Sequence, residues 1–194
     1  MMDRRQLLGM FAAGTALALT GRAVANSAPP EWGPDLSNPP GSGLAQPALQ
    51  GSVSRVIAAP RHDLYVYISE MTHMREISPE NQWTKWVVPG ERFEGYNAIG
   101  LFYQWPMGGV VTENVPDEMF DFYTDAPSQT HWRYAFTDVE GGTLVTESFR
   151  KQDPQIAPIV FMQDISGAHD RQAHLTNGMR VTLERLAEKF ESPR

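Results

Sequence analysis

The sequence predicts an α+β domain: an antiparallel sheet of about seven strands, one face covered by a long C-terminal helix, with two short helices after the first strand. Three observations predict it. Residues 130–149, THWRYAFTDVEGGTLVTESF, read as two alternating strands around a Gly-Gly turn. Residues 82–123 read as further short strands separated by turn signals, without a helical period. Leu175, Met179, Leu183, Leu186 and Phe190 then recur at three and four residues, a single apolar stripe along one long helix. An antiparallel sheet with one apolar face needs a cover, and no other element is long enough.

The chain has 194 residues, enough for one ordinary domain. Residues 1–25 read as a separable leader: a charged Asp3-Arg4-Arg5, an apolar run over 7–19, and small Ala23-Val24-Ala25 at the cleavage site. The apolar run is too short for a transmembrane anchor. Paired arginines before Gln6-Leu7-Leu8, with Asp3 and Gly9, fit a twin-arginine export signal, although Leu7 stands where Phe is commonest. A general secretory signal is the alternative. Either implies an exported protein, in the periplasm or outside the cell. The twin-arginine reading makes that export machinery a partner and carries the chain already folded.

The net charge is −7; the leader holds +2 of it, which leaves about −9 for the rest. No Lys/Arg cluster survives there, which argues against nucleic acid or an anionic membrane as partner, and no stable membrane insertion is expected once the leader is gone. With no cysteine, disulfides, thiolate catalysis, cysteine-ligated zinc and a lipoprotein anchor are excluded.

Residues 26–50 hold six prolines and three glycines and read as a linker or extended arm, with Trp32 its one large side chain. The domain is expected over 51–192. Residues 52–59, SVSRVIAA, make a first strand. Pro60 sits where a helix can begin, and Leu64, Val66, Tyr67, Ile68, Met71 and Met74 supply the apolar side of one or two short helices. Pro79 ends them by disfavouring helix at Ser78. Strands follow at 82–88, 92–98, 101–115, the last bent or bulged near Pro106 and Gly108-Gly109, and 119–123, where Phe120 and Phe122 share a face. Residues 155–167 read as a helix start or a lid loop. The long helix spans 168–190.

Register decides what the hairpin offers. A loop of two or four residues (Gly141-Gly142, or 139–142) puts Val145, Glu147 and Phe149 on the face of Trp132, Tyr134 and Phe136. A three-residue loop exposes that set, because a one-residue slip flips every side chain. The first choice gathers five apolar residues and leaves Glu147 among aromatics.

Several motifs in order carry a resemblance: Ala58-Ala59-Pro60-Arg61; Ser78-Pro79-Glu80; the G-x-x-F-x-G-x-N of residues 90–97; W-x-Y-x-F from Trp132; G-G-T-x-V-T-E-S-F from Gly141; and G-M-x-x-T-L-x-x-L from Gly178. The sequence resembles the SRPBCC (START-like, helix-grip) superfamily, in its polyketide cyclase/dehydrase and lipid-transport branch, over most of the predicted domain. Ile77 departs from the Trp usual before S-P-E. The resemblance implies a curved sheet wrapped around the C-terminal helix, with an apolar cavity between. Family members bind lipids, sterols, hormones or polyketides, and some catalyse cyclisation or dehydration; the fold alone does not choose among these.

Glu147 and Tyr134 are the candidate catalytic pair, cross-strand neighbours in the favoured register. A carboxylate facing an aromatic cavity has a raised pKa and can act as a general base; the plainer reading is a structural pair. Candidate ligand-binding residues are Glu80, Tyr96, Asn97, Trp105, Phe120, Phe122, Trp132, Tyr134, Met179 and Leu183, with Met162 and Met179 as adaptable walls. Glu80 could instead cap backbone amides and Asn97 take a turn. The histidines show no metal-ligand spacing, and no phosphate loop, nucleophile elbow or dinucleotide fingerprint occurs, so no metal or cofactor is expected. The expected function is binding of a small hydrophobic molecule between sheet and helix. The alternatives are a cyclase or dehydratase using Glu147 and Tyr134, and an interaction protein with a filled core.

Overall fold

A computed structural model describes residues 25–26, 49–151 and 157–192. The predicted leader up to residue 24 and the arm over 27–48, Trp32 included, lie outside the described residues. Strand β1 (Ala25–Asn26) pairs with Val53 and Ser54 of β2 (Leu49–Ile57), which begins two residues inside the expected arm. Helix α1 (Arg61–Ser69), a 3-10 turn (Met71–His73) and helix α2 (Met74–Ile77) follow. Then come β3 (Asn81–Val88), β4 (Arg92–Ile99), β5 (Tyr103–Val115), β6 (Met119–Thr124), β7 (Thr130–Val139) and β8 (Gly142–Lys151). Helices α3 (Ala157–Ile165) and α4 (Arg171–Glu191) close the chain.

The sheet is antiparallel throughout, ordered β1-β2-β8-β7-β6-β5-β4-β3. Strands β3 to β8 form a meander, and β2 returns beside β8, which places the earliest long strand next to the latest. Helix α4 lies across β2 and β8. Its stripe of Leu175, Met179, Leu183 and Leu186 is buried against Val53, Ile57, Val145 and Phe149. Burial of each such side chain is worth roughly 1.5–3 kcal/mol, and the α+β helix-grip arrangement follows from that seam.

Three local expectations change. Val139 pairs with Gly142, so the β7–β8 loop is Glu140-Gly141; the register is nevertheless that of the longer loop considered above, with Tyr134 opposite Glu147. Gly141 and Gly142 take φ of 85° and 139°, and a Cβ on Gly142 would stand 2.1 Å from the Ile57 carbonyl oxygen. The glycine therefore lets the start of β8 lie close beside the end of β2, its antiparallel neighbour. Gly108 and Gly109 pair regularly with β4, and the irregularity of β5 falls between Val111 and Glu113 instead. Gly109 is needed for close approach: a Cβ would lie 2.3 Å from the Phe93 ring. Of the two readings of 155–167 the helix is the one found, over 157–165; the third change is that α4 starts at Arg171, where the Asp170 carboxylate accepts from the Ala173 amide at 2.9 Å. Asp170 is a strong N-cap residue, which explains why the helix begins three residues later than its periodicity suggests.

Candidate ligand cavity

A cavity of about 80 Å³ lies between the inner face of the sheet and α4. Its floor is the β7–β8 hairpin with β6: Trp132, Tyr134, Glu147 and Phe122. Leu175, Gly178, Met179 and Thr182 of α4 form the roof. Met71, Met74, Asn81, Thr84, Asn97 and Met107 complete the walls. Glu80, Ser128 and Arg171 also line it. Four of the wall residues are methionines, unbranched side chains that can move aside.

Alternation along β8 puts Val145, Glu147 and Phe149 inward, and pairing with β7 sets Glu147 opposite Tyr134. The Tyr134 hydroxyl donates to Glu147 Oε1 at 2.8 Å. Glu147 is 4% exposed and its Oε2 is buried without a protein partner. Burial pushes the Glu147 carboxyl up to about 8, against a smaller downward pull from the Tyr134 hydrogen bond. Burial, then the neighbouring Glu147, raises the Tyr134 phenol well above its ordinary value. At neutral pH both groups therefore hold their protons. The pair offers a hydrogen-bond donor or general acid, whereas the sequence suggested a general base.

Glu80 follows the opposite course. Burial alone would raise it, but the Arg171 guanidinium and His174 hold its carboxyl down at about 2. Arg171 makes a two-pronged pair with Glu80, its Nη2 donating to Oε2 at 2.9 Å, and His174 Nε2 lies 3.1 Å from Oε1. Glu80 thus ties the start of β3 to the first turn of α4 and caps no backbone amide. Asn97 sits in extended β4 rather than in a turn. Asn81 Nδ2 donates to its Oδ1 at 3.0 Å, and the Thr84 hydroxyl donates to Asn81 Oδ1 at 3.1 Å.

Of the residues predicted for the site, Glu80, Asn97, Phe122, Trp132, Tyr134, Glu147 and Met179 line the cavity. Four do not. Tyr96 alternates with Gly95 and Asn97 and so points to the outer face, beside Pro106 and Trp83. Trp105 is buried in a separate cluster with Ile99, Tyr103 and Ala168, its Nε1 donating to Ser128 Oγ at 3.0 Å. Phe120 fills the core against Phe122, ring centroids 5.8 Å apart. Leu183 lies one turn beyond Met179 and is wholly buried in the core. Met162 likewise packs against the Trp105 cluster. His131 turns outward, where it meets Thr112 at 3.0 Å.

Sequence reasoning missed Arg171, Asn81, Thr84, Met107 and Gly178. Arg171 left no local trace, since its partner is 91 positions away. Gly178 did: a glycine in mid-helix on the buried side of a stripe marks close packing or kept space. Among the described residues, no group of three or more His, Asp or Glu side chains is placed to hold a metal, and no helix is long and apolar enough to cross a membrane.

The sequence matches no family model and no curated protein. Solved structures share the fold. A protein of Chromobacterium violaceum superposes with a TM-score of 0.55 at 16% identity, over 74% of this chain and 98% of that one. The Bacillus cereus protein XoxI gives 0.57 at 12% identity, over 74% and 96%. The di-domain ARO/CYC BexL from the BE-7585A biosynthetic pathway gives 0.58 at 16% identity, over 75% of this chain and 51% of that one. This chain therefore spans about half the length of that di-domain protein. At these identities the likeness is one of fold: the chain shares its α+β helix-grip fold with these proteins.

Proposed function

We propose that the chain binds a small, mostly apolar organic molecule in the cavity between the sheet and α4. The observation that carries this reading is Glu147 Oε2, a buried polar atom left without a protein partner on a residue that lines the cavity. Such atoms are rare in folded proteins and need a partner from outside the chain. The aromatic and methionine walls suit an apolar body, and the polar atoms of Glu147 and Tyr134 suit one oriented polar group. At about 80 Å³ the space is below the common range for ligand pockets, so the ligand is small or the methionines move. Native mass spectrometry of protein purified from its natural host tests the reading. A bound small molecule lost on denaturation is expected; the bare protein mass alone contradicts it.

A second reading is a cyclase or dehydratase, favoured by the protonated carboxyl beside a phenol and by the fold shared with ARO/CYC BexL. Dehydration needs a proton for the departing hydroxyl, which Glu147 can give, and the carboxylate so formed can take the proton released from the carbon beside the carbonyl, which restores the acid. Glu147→Gln would then abolish turnover of a β-hydroxy ketone while the fold is kept; an unchanged rate sinks this reading.

The leader motif supports export, so we place the working protein in the periplasm or medium. N-terminal sequencing of the natural protein should find Asn26 first. A cytoplasmic protein starting at Met1 contradicts export.

A further inference from the structure

The cavity discriminates by charge as well as by shape. The Tyr134 hydroxyl donates to Glu147 Oε1 and so occupies that oxygen as an acceptor. Cross-strand on the other side stands Val53, which offers Glu147 no polar atom. The other titratable side chains lining the cavity are Tyr134, Glu80 and Arg171. Arg171 is committed to Glu80 through both terminal nitrogens, so its charge is balanced before any ligand arrives. A ligand carboxylate or phosphate would therefore enter without a free cation and would lie near a carboxyl group. Burying an unpaired charge in that way is strongly unfavourable.

We propose, on the footing of the binding reading above, that the ligand is an uncharged carbonyl compound whose oxygen accepts a hydrogen bond from the Glu147 carboxyl at Oε2. Tyr134 is a positioning residue, because its bond to Oε1 holds the carboxyl with Oε2 as the oxygen left without a protein partner. Arg171 Nε, also buried without a protein partner, is a second donor on the cavity wall. Its charge being balanced, it suits a neutral oxygen rather than an anion. Met71, Met74, Met107 and Met179 receive the apolar remainder. A carboxyl kept protonated by burial is a good donor to a carbonyl, and its ionised form is acceptor-only. Carbonyl binding therefore fails as Glu147 loses its proton.

The test is calorimetric titration of the full chain, purified free of bound material, with three probes of similar size: acetophenone, ethylbenzene and benzoate. It uses wild type, Glu147→Gln and Glu147→Leu at about pH 6 and about pH 9, on either side of the Glu147 titration. In wild type, acetophenone should bind at least about tenfold more tightly than the other two at the lower pH, and the advantage should vanish at the higher. Glu147→Gln keeps a donor but cannot ionise, so the acetophenone preference should persist at both pH values. Glu147→Leu should lower acetophenone to the level of ethylbenzene, and retained ethylbenzene binding shows an intact cavity. Equal binding of acetophenone and ethylbenzene in wild type, tighter binding of benzoate, or a pH response that survives in Glu147→Gln overturns the carbonyl proposal and leaves the cavity reading standing. If none of the three probes binds, the reading of a ligand cavity fails with it.

Discussion

Glu147 and Glu80 are both withdrawn from water, and they titrate in opposite directions. The folded chain holds the Glu147 proton up to about pH 8, whereas the unfolded chain releases it near the ordinary 4.5. Stability from this site is thus complete below about 4.5 and is lost as pH rises through about 8. Glu147→Gln should match wild type within about 1 kcal/mol near pH 5 and exceed it by roughly 2–4 kcal/mol near pH 9, read as thermal melting against pH. A wild-type melting temperature that does not fall over this range contradicts the buried protonated carboxyl. Glu80 has the reverse sign: its folded value is held down at about 2. That contribution is present above about 4.5 and lost as pH falls through about 2. Arg171→Ala would leave the Glu80 charge without its main partner and should cost on the order of 3 kcal/mol at neutral pH, measured by denaturant unfolding. A neutral result would mean that His174 alone suffices. The two pairings were not equally visible from sequence. Tyr134 and Glu147 meet across a hairpin, so local alternation and a turn were enough to find them. Arg171 and Glu80 meet only because the fold brings the first turn of α4 within side-chain reach of the residue before β3.

Each element shows what local pattern can and cannot supply. The β7–β8 hairpin was legible because its inward residues, Glu147 apart, are aromatic or aliphatic on both strands, and a one-residue slip would turn those of β8 outward. The turn was misplaced by one residue, since two adjacent glycines leave several loops open. Gly142 is fixed by tertiary packing: Gly142→Ala would drive a Cβ to 2.1 Å from the Ile57 carbonyl oxygen at a φ of 139°. It should prevent folding or cost more than about 4 kcal/mol; near-wild-type unfolding would contradict the close approach of Gly142 to the end of β2. Helix α4 offers the contrary case. At Gly178 an added Cβ would meet only Pro79 Cγ, at 3.7 Å, so no clash demands glycine there. Gly178→Ala should stabilise the chain by about 0.5–1 kcal/mol through helix propensity, seen as a higher melting temperature. A lower one would mean that α4 and the Ser78–Pro79 corner are tighter than they stand. Stability is thus forgone at a residue that roofs the cavity, as expected where room is needed for a ligand.

For the whole molecule, the antiparallel sheet and its covering helix follow from periodicity, whereas the grip of sheet around helix was what the resemblance implied. The cavity was less legible. Trp105, Phe120 and Leu183 have the residue types of a lining, yet they fill core, and Tyr96 sits outside. Which apolar residues bound a void depends on where the helix rests on the sheet, and α4 rests over β2 and β8. That leaves space near its N-terminal half and none near Leu183. The methionines that line the void are natural reporters of its occupancy, and Met119 and Met162 lie apart from it. The most direct measurement is a methionine methyl NMR spectrum titrated with acetophenone, in wild type and in Gly178→Leu, whose added side chain fills the roof. The account predicts that Met71, Met74, Met107 and Met179 shift in wild type, that Met119 and Met162 do not, and that Gly178→Leu folds but abolishes the response. Unmoved cavity methyls in wild type, or the same shifts in Gly178→Leu, would contradict it.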